Sequence, residues 1–223
     1  MKFVEYTDSE IMWMDLANTI AGELNRALMT HDRVSLAVPG GTTPGPIFDS
    51  LCAADLDWEN VHIMLTDERW VPESSPRSNT RLVKERLLTN RAAAATFIPF
   101  YSGDPEPEGH LDALIETVTA KLPISVLLLG MGADMHTASL FPGADQLAAA
   151  LDDHAPPVMA MRAPGAPEAR VTLTAQVLKG AMSKHLVITG ADKRAAVELA
   201  RHKSPLEAPI AAILPGTTVH WAE

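Results

Sequence analysis

Cysteine is almost absent: Cys52 is the only one in 223 residues. That excludes a disulfide framework and any cysteine-rich zinc site, and it suits a reducing compartment. Positive charge is also scarce. Eighteen Lys and Arg face 28 Asp and Glu, for a net charge of −10. An acidic balance argues against nucleic acid or an anionic membrane surface as the main partner, because both select a basic footprint. A small anionic ligand is not excluded, since it responds only to its local field. No apolar run approaches the roughly 18 residues that would span a bilayer. The opening MKFVEYTDSE carries Glu5, Asp8 and Glu10 and no apolar core, so it does not read as a secretory leader. The expectation is a cytoplasmic protein.

Several chemistries are missing as well. His31, His62, His110, His154, His185, His202 and His220 show no paired metal spacing, and there is no H-E-x-x-H. Ser139 lacks the G-x-S-x-G elbow of a serine hydrolase. Neither a catalytic metal nor a serine nucleophile is expected.

What is present is a folding chain. Hydrophobic residues make up 47% and charged residues 21%, which excludes disorder. A chain of this length fits one domain, residues 1–223, burying roughly 70–75% of its unfolded surface. Four short apolar runs read as buried strands: Val34–Val38, Val61–Thr66, Ile124–Leu129 and His185–Thr189. Segments of helical period fall between them, at Ser9–Met29, Pro44–Ala54, Ser78–Leu88, Gly109–Leu122, Ala175–Lys179 and Ala191–Ala200. Strands alternating with helices imply crossover connections. The expected fold class is therefore α/β, a Rossmann-like doubly wound, mainly parallel sheet with helices on both faces. Val171–Thr174 and Thr218–Trp221 are weaker strands, read as antiparallel additions. Val71–Arg77, Tyr101–Glu108 and the proline-rich Ala155–Glu168 read as loops.

Ligands of open parallel sheets bind beyond the C-terminal strand ends, and four of those ends carry unusual sequence. After the first comes Pro39-Gly40-Gly41-Thr42-Thr43-Pro44-Gly45. Its glycines free backbone N–H groups to converge, Thr42 or Thr43 can cap the next helix, and Pro44 suits its first turn. Such a turn binds phosphate or simply joins strand to helix. After the second comes Thr66-Asp67-Glu68-Arg69-Trp70, with Ser78-Asn79 at the following helix start. Arg69 offers a planar fork to an anion, or braces the loop by pairing with Asp67; Asn79 reads as a helix cap. The third end is Gly130-Met131-Gly132-Ala133-Asp134-Met135-His136. It begins like a dinucleotide fingerprint but has Met135 where the third glycine belongs, which argues against a nicotinamide cofactor. It delivers Asp134 and His136 together, a pairing suited to a general base with a fixed tautomer. The fourth, Gly190-Ala191-Asp192-Lys193-Arg194, puts cations at a helix start, where the dipole disfavours them unless an anion binds. Lys193 is the candidate contact, and Arg170 could reach the same anion.

These segments together resemble the 6-phosphogluconolactonases of the glucosamine-6-phosphate isomerase/6-phosphogluconolactonase family. PGGTTP (39–44), TDER (66–69) with Ser78-Asn79, LGMGADMHTASLFPG (129–143), RVTLT (170–174) and TGADK (189–193) fit in order along the chain. The resemblance implies a sugar-phosphate isomerase type of fold and hydrolysis of 6-phospho-D-glucono-1,5-lactone, with no metal or organic cofactor. It also implies that Gly40, Gly41, Thr42, Arg69 and Lys193 hold the phosphate, with Arg170 an addition. His136, oriented by Asp134, would activate water, and backbone N–H groups of the 130–133 loop are candidate oxyanion donors.

One residue departs from the pattern. Where such chains read Asp-Gly-His, this one reads Asp134-Met135-His136. Glycine there would serve a positive φ or a close backbone approach, whereas methionine would shift His136 or narrow the pocket. Two other functions compete. A glucosamine-6-phosphate deaminase resembles this chain in its glycine loop. It should continue Ile-Ala-Phe-Asn-Glu-Pro after the histidine, not Thr137-Ala138-Ser139-Leu140-Phe141-Pro142. A non-catalytic sugar-phosphate sensor has only Met135 in its favour.

Overall fold

The computed structural model describes residues 1–223. In chain order the elements are β1 (Lys2–Glu5), α1 (Ser9–Leu28), β2 (Val34–Val38), α2 (Gly45–Leu51), β3 (Val61–Leu65) and β4 (Asp67–Arg69). There follow α3 (Asn79–Arg86), β5 (Thr96–Ile98), α4 (Leu111–Thr119), β6 (Val126–Leu129), α5 (Leu147–Leu151) and β7 (Val158–Met161). The chain closes with β8 (Arg170–Leu173), α6 (Ala175–Lys179), β9 (Ser183–Thr189), α7 (Ala191–Ala200) and β10 (Thr218–Ala222).

Seven strands form a parallel sheet in the order β1-β10-β9-β6-β2-β3-β5. Every residue of β2, β3 and β6 is buried, which is why these strands read as unbroken apolar runs rather than alternating ones. From β2 the chain winds outward through β3 to β5, and from β6 it winds the other way through β9 and β10. The direction therefore reverses between β2 and β6, and a crevice opens beyond their C-terminal ends. A second, antiparallel sheet, β4-β8-β7, stands beside that crevice.

The longest helix shows how the sequence sets its elements. Asp8 caps α1 by accepting from the Ile11 N–H at 2.8 Å. Met12, Leu16, Ile20 and Leu24 recur every four residues and are fully buried against the sheet. One continuous core of 56 buried apolar residues runs from Met12 to Ala222.

Three expectations need correction. Thr218–Ala222 is not an antiparallel addition but lies inside the main sheet, parallel to β1 and β9. Val171–Thr174 is antiparallel as expected, and its partner β7 lies within the stretch read as a proline-rich loop. Neither Thr42 nor Thr43 caps α2: Pro44 stands at that position without a side-chain bond, and Pro46 occupies the first turn.

A hydrogen-bonded chain of polar groups runs through the buried His185 of β9 and His220 of β10. Tyr6 Oη donates to Asp15 Oδ2 at 2.6 Å and lies 2.9 Å from His220 Nδ1, so that nitrogen carries a proton. His220 Nε2 meets His185 Nδ1 at 3.0 Å, and His185 Nε2 meets Glu23 Oε2 at 2.8 Å. Burial, and then the neighbouring His185, push His220 down to about 4 from an ordinary 6.5. The unfolded chain thus takes up a proton at His220 as pH falls below about 6.5, while the native state resists until about 4. The stability His220 contributes is complete above pH 6.5 and drains away over that window, by about 3 kcal/mol. Urea unfolding of wild type and His220→Asn at pH 7 and pH 4 tests this. The wild type should lose about 3 kcal/mol more than the variant, and equal losses would refute it.

Candidate active site

A cleft of about 250 Å³ occupies the crevice between β2 and β6. Its walls bring together residues from every strand end singled out in the sequence, including Gly40, Gly41, Thr42, Arg69, Gly130, His136, Arg170 and Lys193. Asp134 is exposed at the rim.

The first wall is the turn after β2. The N–H groups of Gly40, Gly41, Thr42 and Thr43 donate to no acceptor within the protein. Gly41 has φ +91°, a left-handed conformation that glycine adopts without strain. Gly40 is required for a different reason: a Cβ there would lie 1.8 Å from Asn79 Oδ1. Asn79 is thus part of the cleft wall, not the helix cap expected from the sequence. Ser78 caps α3, accepting from Arg81 N–H at 3.2 Å, while Asn79 Nδ2 donates to the Asp67 carbonyl at 2.9 Å.

The second wall is cationic. Arg69 does not pair with Asp67; it donates to the Arg77 carbonyl at 2.6 Å. In the β4–β8 pair Arg69 lies directly opposite Arg170, and each guanidinium has a buried Nε–H with no acceptor. Like charges opposite one another across antiparallel strands repel. Arg170 is 8% exposed; burial lowers its basicity, and Asp67 at 3.8 Å pulls it back up. Lys193, in the first turn of α7, makes no ion pair, whereas its neighbour Arg194 turns away to Glu5 at 2.5 Å and lies over Trp221.

Buried Glu68 holds this wall in place. Its Oε1 accepts from the N–H groups of Arg69 and Asn79, both at 2.8 Å. Its Oε2 accepts from Thr80 N–H at 2.8 Å and Ser78 Oγ at 3.1 Å. Burial pushes the carboxyl up while these donors hold it down. Ser139 ties the wall to the third loop, its Oγ donating to Asp67 Oδ2 at 2.6 Å and lying 3.5 Å from Arg170 Nη1.

The third wall carries His136. Its Nδ1 lies 2.5 Å from Asp134 Oδ1, and the same oxygen accepts the His136 backbone N–H at 3.2 Å. The ring stacks on Phe141 with centroids 4.0 Å apart, and the Arg170 guanidinium lies over the same Phe141 ring, 5.0 Å from its centroid. Gly132 makes room for the pair, because a Cβ there would lie 2.3 Å from the imidazole. The N–H groups of Gly130 and Met131 have no protein acceptor, whereas that of Gly132 is used by the His136 carbonyl at 3.0 Å.

Met135 does adopt the conformation that favours glycine, with φ +65°, and Ala138 follows at +49°. The two strained residues bracket His136 and Thr137. The methionine side chain does not narrow the cleft. It packs against the core, and its carbonyl accepts the Ile210 N–H at 3.2 Å. Left-handed strain at a non-glycine residue costs roughly 1–2 kcal/mol. Glycine would relieve it, but a freer unfolded chain and lost packing return a similar amount. Met135→Gly should therefore leave the urea midpoint nearly unchanged, while β-branched Met135→Val lowers stability by at least about 1 kcal/mol. Equal midpoints for all three proteins would show that the strain is not stored there.

Asn79, Phe141, Ser139 and Glu68 were not anticipated as site residues. The available signal was that all four lie inside the segments that carry the family resemblance; composition alone gave none, because each acts through contacts across the fold.

A polar crevice at a topological switch point, walled by free N–H groups, guanidinium groups and an Asp–His pair, defines an α/β protein built around a small anionic ligand. The chain belongs to the family described as glucosamine-6-phosphate isomerases/6-phosphogluconolactonase, whose model matches residues 7–221. A 6-phosphogluconolactonase of Mesorhizobium japonicum is 40% identical over 225 residues, covering 97% of this chain and 93% of that protein. The crystal structure of a 6-phosphogluconolactonase from Shewanella baltica superposes with a TM-score of 0.96 at 32% identity, covering 100% of this chain and 98% of the other. A monomeric glucosamine-6-phosphate deaminase shares the fold, with a TM-score of 0.81 at 17% identity over 100% and 98% of the two chains. No helix is long and apolar enough to cross a membrane.

Proposed function

We propose that this chain hydrolyses 6-phospho-D-glucono-1,5-lactone to 6-phospho-D-gluconate, the lactonase step of the oxidative pentose phosphate pathway. The observation that carries the reading is the paired Arg69 and Arg170, two cations in cross-strand register that line one cleft with the His136 of the Asp134–His136 pair. Two guanidinium groups in cross-strand register are tolerated best with an anion nearby, and the substrate supplies a phosphate.

In this proposal Arg69, Lys193 and the N–H groups of Gly40, Gly41 and Thr42 hold the phosphate, and Arg170 adds charge from behind. Asp134 accepts the Nδ1 proton of His136, which leaves Nε2 free to take a proton from water. The hydroxide oxygen bonds to the lactone carbonyl carbon, and the carbonyl oxygen becomes an oxyanion facing the free N–H groups of Gly130 and Met131. When the ring C–O bond breaks, the departing oxygen takes the proton back from His136 and becomes the C5 hydroxyl. A strained ester needs no covalent nucleophile, in keeping with Ser139 being committed to Asp67. The chain would act as one domain, since both sheets share one core. The lone thiol of Cys52 fits a cytoplasmic setting.

The test is release of 6-phosphogluconate from freshly generated lactone, coupled to phosphogluconate dehydrogenase and corrected for spontaneous opening. Hydrolysis well above background is expected, with no ammonia from glucosamine 6-phosphate. Ammonia release without lactone hydrolysis would overturn the proposal in favour of a deaminase, and binding of 6-phosphogluconate without turnover would favour a sensor.

A further inference from the structure

A second cavity, of about 260 Å³, lies at the opposite end of the sheet, where β2 and β3 begin and α4 turns toward β6. The five-residue strands between the two cavities separate them by about 15 Å. Its charged lining is wholly basic: His31, Arg33, His62 and Lys121, with no carboxylate. Ten of the 18 Lys and Arg side chains pair with a carboxylate. Arg33 and Lys121 do not.

His62 is the informative group. It sits in β3 opposite Ser35 of β2 and is only 8% exposed, yet neither ring nitrogen has a hydrogen-bond partner. Its ring nitrogens are not sealed from solvent, and a ligand in the cavity that His62 lines can reach them. The two serines of the lining bond to each other and to the backbone, and neither bonds to His62. Ser35 N–H donates to Ser125 Oγ at 3.1 Å, Ser125 N–H donates to Ser35 Oγ at 3.2 Å, and Ser35 Oγ donates to the Lys121 carbonyl at 3.1 Å. Burial, and then the charges of Lys121 and Arg33, push the imidazole below its ordinary value.

We propose that this cavity is a second oxyanion site, in which a phosphate group, free or carried by a small metabolite, is held by Arg33, Lys121 and His62. A guanidinium fork, an ammonium and a ring N–H supply donors of the kind phosphate selects, and the bound anion cancels the repulsion among them. The cavity is large enough for a phosphate with a small organic group attached.

Imidazole NMR separates this site from the cleft, because His62 and His136 report on them individually. His62→Gln assigns the resonance. Inorganic phosphate should shift the His62 signals saturably at millimolar concentration in the full-length protein. Arg33→Ala/Lys121→Ala should weaken that response at least about tenfold while leaving lactone hydrolysis and the His136 response unchanged. Glucose 6-phosphate is the second probe. Tighter binding than phosphate at His62 identifies a phosphorylated metabolite as the ligand, and equal or weaker binding identifies free phosphate. A His62 signal that does not saturate, or that responds equally in the double variant, overturns the proposal. His62 and His136 are read in the same samples, so failure here leaves the lactonase proposal standing, and loss of lactonase activity leaves this one testable.

Discussion

His136→Ala is expected to slow lactone hydrolysis by about 10²–10⁴-fold, the usual worth of a positioned base. The phosphate grip comes from Arg69, Lys193 and the turn after β2, so 6-phosphogluconate should still bind with nearly unchanged affinity. The loss should fall on kcat, not KM, because the group removed acts when the water proton moves. The variant should also fold: His136 is not part of the buried core, and its loss removes one stacking contact with Phe141. Asp134→Asn is a useful companion, because an amide can present its NH2 to Nδ1 and favour the wrong tautomer. Full activity in His136→Ala would sink the assignment of the base while leaving the reaction in place.

Glu68→Gln should lower stability by about 3 kcal/mol, seen as a fall in Tm of roughly 6–12 °C for a chain of this size. The two side chains have the same shape, so the effect isolates chemistry from packing. Each Glu68 oxygen accepts two donors, and three of the four donors are backbone N–H groups. An amide nitrogen in place of either oxygen turns a donor toward donors and leaves at least one N–H buried without an acceptor. Such a group costs about 1–3 kcal/mol, and bonds to a charged acceptor are the stronger kind. Arg69 and Asn79 hang from the same carboxylate, so KM should rise more than kcat falls. A Tm shift below about 2 °C would mean that the carboxylate is not the keystone its contacts imply.

The central strands were legible because β2, β3, β6 and β9 are apolar runs long enough to betray burial on both faces. The missed strands fail that condition in different ways. β5 has three residues, β1 is an edge strand with Lys2 and Glu5 exposed, and β4 is the polar Asp67-Glu68-Arg69, whose composition spoke of chemistry instead of pairing. Prolines on either side hid β7, and the run at 147–151 was too short to show a helical period. At the site, the glycine loops, Arg69, His136 and Lys193 were visible because their residue types are unusual at strand ends. Asn79, Ser139 and Phe141 are ordinary residues in sequence. Their importance comes from partners that only the fold brings near: Gly40 for Asn79, Asp67 for Ser139, and His136 with Arg170 for Phe141.

The pairing of β1 with β10, Lys2 against Thr218 through Glu5 against Trp221, joins strands far apart in sequence. During synthesis β1 leaves the ribosome before its partner exists, and it stays unpaired until Thr218–Ala222 emerges. Contacts of such long sequence separation form late and slowly, and an open strand edge invites pairing with other chains in the meantime. Lys2 and Glu5, exposed at the two ends of β1, are the kind of charged residues that discourage such encounters while the strand waits. A nascent chain stalled short of Thr218 would lack the strand that lies between β1 and β9, and would leave both of those edges open at once.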